Sequence, residues 1–193
     1  MILFAAEKAG LHYPGRPTPA FSDLSLTVRK GEALRLTGPS GAGKTSLLRV
    51  IAGLQQPTSG RVSVLPGRIG MAFAEPRLML RLSVMQNLLF VAPQAIEESR
   101  STLEALDMDS LGDSPAGSLS KGQAQRAALI RALIVRPEIL LLDEALSGLD
   151  PRGWQFARDL ILRRRREDGF ALVEISHDPA RLIEPGADTF PLV

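Results

Sequence analysis

The chain contains no cysteine, which excludes disulfides and thiolate metal sites and is compatible with a reducing compartment such as the cytoplasm. It also lacks a charge excess: 23 basic and 21 acidic residues leave +2, too even a balance to argue for nucleic acid as a partner. Long apolar runs are missing as well. The most hydrophobic region, Ala127 to Leu146, is interrupted by Arg131, Arg136, Pro137, Asp143 and Glu144, which a bilayer-spanning helix would not carry. The apolar start MILFAA reaches Glu7 and Lys8 too soon for a signal-peptide core and has no basic leader. No internal repeat or low-complexity tract is evident.

What is present is ordinary for a globular domain: 193 residues, 45% hydrophobic and 23% charged, enough for one sizeable core. Short apolar runs alternate with helical patterns, so an α/β fold with a mainly parallel, doubly wound sheet is expected. Ala33 to Thr37 reads as a strand entering a glycine loop, Thr45 to Leu54 as the helix leaving it, with Gly53 and Pro57 as its end. Arg61 to Leu65 and Arg68 to Phe73 read as strands separated by a Pro66-Gly67 turn. From Pro76 to Arg136 helices dominate: Val84 to Val91, Ile96 to Leu106 and Gln123 to Val135. Ile139 to Leu142 and Ala171 to Ser176 then read as buried strands, the second interrupted by Glu174, a carboxylate that needs a partner. A single domain over 1–193 is expected, with a core of 1–75 and 136–193 and a helical sub-lobe at 76–135. The run Arg163 to Arg166 reads as the solvated last turn of a helix, with a surface for acidic lipid or nucleic acid as the sharper alternative.

Three segments carry chemistry. In GPSGAGKT, the residues Gly38, Pro39, Ser40, Gly41, Ala42, Gly43, Lys44 and Thr45 form a phosphate loop. Its glycines let backbone N–H groups converge on phosphate oxygens at a helix start, Lys44 reaches the β- and γ-phosphates, and the Thr45 hydroxyl is placed to ligate Mg²⁺. This loop alone does not choose among kinases, GTPases and ATPases. In the second segment, Ile139 to Leu142 deliver Asp143 and Glu144 to the carboxyl end of a strand, where ligands sit in open α/β sheets. Asp143 is placed to hold Mg²⁺ and Glu144 to orient or deprotonate an attacking water.

The third segment, Leu119-Ser120-Lys121-Gly122-Gln123, resembles the signature motif of ABC ATPases, and Ser147-Gly148-Leu149-Asp150 resembles the loop after that family's acid pair. The resemblance implies a phosphate-loop NTPase fold with an N-terminal antiparallel β portion and a small helical sub-lobe. It implies that Ser120 and Gly122, with Gln123, face the γ-phosphate of ATP held by a second ATPase chain, and it carries Asp150 into the site. It makes His177 the switch histidine that positions water with Glu144, and Tyr13 the aromatic that stacks on adenine. His12 has no assigned role.

The chain departs from the family pattern at Ala74, where a glutamine is usual, and at Lys121, which replaces the first signature glycine. The stretch IGMAFAEPRLM resembles ATPases serving nitrate, sulfonate and taurine importers. The reading is therefore an Mg-dependent ATPase with ATP and Mg²⁺ as cofactors, peripheral to the inner face of the cell membrane through integral permease subunits. An exporter ATPase, a slow regulatory cassette and a soluble cassette acting on DNA or ribosomes are the alternatives.

Overall fold

The computed structural model describes residues 1–193 except Pro66, His177 and Pro179. Along the chain, β1 (Ile2–Leu11), β2 (Phe21–Arg29) and β3 (Ala33–Thr37) precede helix α1 (Lys44–Ile51), and β4 (Ser59–Val64) and β5 (Ile69–Phe73) follow it. Three helices come next, α2 (Val84–Val91), α3 (Ile96–Ala105) and α4 (Lys121–Ile134). The chain then runs through β6 (Ile139–Asp143), α5 (Pro151–Asp168), β7 (Ala171–Ile175) and β8 (Asp188–Pro191). Among the described residues, β1 pairs antiparallel with β2 and β4, and a second, all-parallel sheet has the order β5-β6-β7-β3-β8.

Every residue of β6 and β7 is buried, as expected for strands with neighbours on both edges and layers on both faces. The period of two along a strand sorts β6 between two cores. Ile139 and Leu141 join α1 and the antiparallel sheet on one face, whereas Leu140 and Leu142 join α2 to α5 on the other. The fold is thus a parallel sheet between a β-plus-α1 layer and a helical layer. Gly70 allows the closest approach in the second layer, since a β-carbon there would run into the carbonyl oxygen of Ala132 on α4.

Most element expectations hold to within a few residues. The strand expected at Arg61 to Leu65 is β4, and it belongs to the antiparallel sheet. Half of the turn expected at Pro66-Gly67 lies outside the described residues. No expectation covered β8, whose sequence DTFP lacks a β pattern and is a strand because it pairs with β3. Glu174 in β7 has its partner: Arg35 Nη2 in β3 lies 3.4 Å away, and the Ile183 N–H donates to the second carboxylate oxygen at 3.4 Å. Burial pushes the Glu174 carboxyl up, and Arg35 works against that.

The arginine run is only half solvated. Arg163 and Arg166 are exposed, but Arg165 bonds Glu184 at 2.7 Å and the Gly31 carbonyl, and Arg164 bonds both Asp168 and Glu98 of α3. The helix ends at Gly169, whose φ of 68° closes it left-handed. Glu98 also accepts from Arg136, so one carboxylate ties α3 to α5 and to the turn before β6.

Partial burial pushes the Glu98 carboxyl up, but the Arg164 and Arg136 guanidiniums outweigh it and hold it below the ordinary 4.5. A depressed folded value means that the stabilisation is present above the unfolded value and is lost as pH falls through the folded one. Glu98→Gln should therefore lower the unfolding free energy by about 1 kcal/mol at neutral pH, allowing for solvent screening. In urea denaturation the gap between variant and wild type should close as pH drops below 4.5.

Candidate active site

The loop between β3 and α1 is held in a conformation that only glycine adopts at three points: Gly38, Gly41 and Gly43 have φ of 133°, 86° and 87°. At Gly43 the space is also closed, because a β-carbon would collide with the carbonyl oxygen of Ala20. Gly43 is the N-cap of α1 and provides no side-chain cap. The contrast with α2, α4 and α5 is direct: Ser83, Ser120 and Asp150 cap those helices with side-chain oxygens. α3 likewise has no side-chain cap, but only at α1 does the uncapped start follow a glycine loop beside a lysine, a setting that suits an anion.

Lys44, 7% exposed, folds back so that Nζ donates to the Gly38 and Pro39 carbonyls at 2.8 Å each. The Thr45 hydroxyl donates to Asp143 Oδ1 at 3.1 Å and so joins the loop after β3 to the end of β6. Burial pushes the Asp143 carboxyl up; the Thr45 bond and the Arg49 and Arg77 charges oppose this, and the Glu144 charge adds to it. A desolvated carboxylate beside a hydroxyl is a hard oxygen pair. It suits a divalent cation that keeps several waters and takes its other ligands from phosphate. Among the described residues no cluster of three His, Cys, Asp or Glu exists that could hold a metal by itself.

Glu144 has φ of 52°, unusual for a non-glycine residue. Its N–H donates to the Ile175 carbonyl at 3.1 Å, extending the β6–β7 pairing past the strand ends and fixing this left-handed corner. Backbone strain of this kind is common at functional sites. The side chain lines a cavity of about 320 Å³ together with Tyr13, Arg16, Ser40, Lys44 and Thr45.

Tyr13 opens the turn Tyr13-Pro14-Gly15-Arg16, closed by the Arg16 N–H on the Tyr13 carbonyl, with φ of 78° at Gly15. The Tyr13 hydroxyl donates to Ser46 Oγ at 3.2 Å. His12 gains a role here: Nε2 donates to the Arg16 carbonyl at 2.7 Å and braces the turn. Arg16 and His12 were not among the expected site residues, although the Pro-Gly pair that places them is a turn signal readable in the sequence.

Not every expected residue meets in this cavity. Ser120 and Gln123 form a reciprocal capping box, with Gln123 N–H on Ser120 Oγ and Ser120 N–H on Gln123 Oε1. Ser120, Gly122, Gln123 and Asp150 do not line the cavity, and the Asp150 carboxylate accepts from the Gly153 N–H at the start of α5. The Ser120 oxygen accepts within the cap, so its own hydrogen remains for an external acceptor. Expected His177 lies outside the described residues.

A glycine loop opening an uncapped helix, with a Thr–Asp bond and an adjacent glutamate at the carboxyl edge of a parallel sheet, is the arrangement of a phosphate-loop nucleotide-binding domain. A family model described as "ABC transporter" matches residues 21–147, and the chain belongs to that family. It is 36% identical over 158 residues to the aliphatic sulfonates import ATP-binding protein SsuB 2 of Pseudomonas syringae, covering 81% of this chain and 68% of that one. The sulfate/thiosulfate import ATP-binding protein CysA of Synechococcus elongatus is 37% identical, covering 86% and 53%. This chain therefore spans about two thirds of the length of the first relative and about half of the second.

Among solved structures, a dimeric ATP-binding cassette in a post-hydrolysis state with ADP and Pi superimposes with a TM-score of 0.87 at 23% identity, over 98% of this chain and 94% of that one. That likeness shows the fold. The structure of cbiO1 from Clostridium perfringens, part of the ABC transporter complex cbiONQ, gives a TM-score of 0.77 at 26% identity, over 94% and 80%.

The loop geometry makes a direct prediction. Gly43→Ala must accept both a left-handed φ and a collision with the Ala20 carbonyl, and should lower the unfolding free energy by about 1–3 kcal/mol. Exposed Gly15→Ala, with φ also positive but open space around it, should cost about 1 kcal/mol in the same denaturation series.

Proposed function

We propose that this chain is the ATP-hydrolysing subunit of an ABC transporter that imports a small solute. The observation carrying this reading is the convergence of Lys44, Thr45 and Glu144 on one cavity, with Asp143 bonded to Thr45, while Ser120 is exposed and does not line that cavity. Such a site is complete only when a second ATPase chain supplies its Ser120 and Gly122. Import is supported by relatives named as import ATP-binding proteins and by the IGMAFAEPRLM stretch.

In the proposed cycle, Tyr13 stacks on adenine, with Arg16 beside it. The amides of residues 38–45 and the Lys44 ammonium, exchanging its two carbonyl partners for phosphate oxygens, take the triphosphate. Mg²⁺ held by Thr45 and Asp143 would neutralise charge developing on the β- and γ-oxygens. Glu144 accepts a proton from the attacking water at its carboxylate, with His177 beside it as the family resemblance implies. The partner's Ser120 hydroxyl and the start of its α4 cover the γ-phosphate, with Gln123 holding that serine in its cap and Asp150 holding the start of α5 at the same seam.

Residues 76–135 act as the sub-lobe of the single domain, the core being 1–75 and 136–193. Among the described residues no helix is long and apolar enough to cross a membrane. Attachment to the inner face of the cell membrane would come from integral permease subunits, and no nucleic acid is involved.

Glu144→Gln tests the reading directly. Turnover of Mg·ATP should fall by about 100-fold or more, with nucleotide affinity kept and an ATP-dependent dimer accumulating in size-exclusion chromatography. Undiminished turnover, or wild-type protein with no affinity for Mg·ATP, would sink it. A second variant addresses coupling. Ala74 presents only a methyl group where the family's side chain links the site to the permease, so Ala74→Gln should raise permease-stimulated hydrolysis. Equal rates with the permease present would rule that link out.

A further inference from the structure

Gln125 sits on the second turn of α4, the helix capped by Ser120, and is 1% exposed without lining the nucleotide cavity. Its carboxamide makes two backbone hydrogen bonds to separate segments. Nε2 donates to the Ala74 carbonyl just past β5 at 3.0 Å, and Oε1 accepts from the Gly148 N–H at 3.0 Å. Gly148 lies in the stretch between Glu144 and Asp150. A carboxamide is planar, so its donor and acceptor share one rigid frame, and a shift of one partner is passed to the other. Further along α4, Arg131 donates to the Pro76 carbonyl at 3.1 Å, so the helix grips the 74–76 segment twice.

These bonds tie the helix carrying the signature to the ends of two strands that are themselves paired, the Ala74 segment after β5 and the stretch after the acid pair at the end of β6. Ala74 has no polar side chain, so in this chain the connection from that segment runs through backbone held by α4. We propose that Gln125 is a positioning residue for hydrolysis, registering residues 144–150 against the signature helix so that movement of α4 places the Glu144 corner for in-line attack. This role rests on the ATPase reading above.

The test uses the full chain carrying Gln125→Met, Gly148→Ala or both, measuring turnover at saturating Mg·ATP, affinity for a fluorescent ATP analogue and thermal unfolding. Methionine keeps the length of the side chain and removes both bonds. Alanine at the exposed Gly148 places a β-carbon 2.7 Å from Oε1 and dislodges the carboxamide from the other side. Each single change should lower kcat by about tenfold or more, the scale of a misplaced reacting group. Affinity should stay within about twofold, because the cavity is untouched. The double variant should lose no more than the weaker single variant, since both changes break the same bond.

Additive losses in the double variant, wild-type kcat in Gln125→Met, or affinity falling in step with kcat would each overturn the role. Should Gln125→Met fail to fold, Gly148→Ala decides by the same split between kcat and affinity. Wild-type protein that binds no Mg·ATP fails the ATPase reading itself, a result distinguishable from failure of this role.

Discussion

The hydrogen bond from Thr45 to Asp143 is the constraint around which this molecule is arranged. Thr45 lies in α1 after β3 and Asp143 ends β6; these strands are not neighbours, since β7 lies between them, so the bond spans the carboxyl edge of the sheet over the end of a third strand. It can form only if β3, β6 and β7 are parallel and end level, and the registers of Ala33 with Leu172 and of Ile139 with Ala171 achieve this. Parallel pairing in turn requires crossovers that bury both faces, and the unbroken apolar character of ILLL in β6 is the sequence consequence.

Buried charge is the cost of that arrangement. Lys44, Asp143 and Glu174 are all buried, and each is answered differently. Lys44 is satisfied by carbonyls of its own loop, a partnership that a phosphate can replace. Glu174 is satisfied by Arg35 across one strand pair and by the Ile183 amide, which fastens the chain after β7 to the sheet. Asp143 is the least settled: one hydroxyl faces it, burial raises its pKa, and the Glu144 charge adds to the strain. Of the two carboxylates, it is the one whose state a bound cation would improve more, which supports the proposed Mg²⁺ position there.

The sequence disclosed the site's chemistry more fully than its supports. Loop, acid pair and signature were readable because each packs its chemistry into a few adjacent residues whose spacing is fixed by one turn or one strand end. The unbroken apolar run that buries β6 was readable for the same reason. The supports were not, because they join residues far apart in the chain: Arg35 to Glu174 and Glu98 to Arg164. The arginine run shows the limit well. Its composition indicates solvated charge, but Arg164 and Arg165 reach partners on α3, in the turn before β3 and beyond β7, positions that no local pattern encodes.

Helix α4 gathers these strands of argument. Beyond its first turn it is buried within the helical layer against the sheet, and the missing side chain at Gly70 lets its backbone lie against β5. Its first turn is exposed and held by a reciprocal cap, so Ser120 is rigid at the surface where another molecule can meet it. Its middle grips Ala74, Pro76 and Gly148 through Gln125 and Arg131. A helix buried on all sides beyond its first turn and bonded to two loops by side chains cannot rotate without carrying those loops, because each buried polar bond left unmade costs about 1–3 kcal/mol. In such a structure the exposed tip at Ser120 and the stretch that follows Glu144 are linked through one helix, which is the route by which the proposed second chain would act on the Glu144 corner.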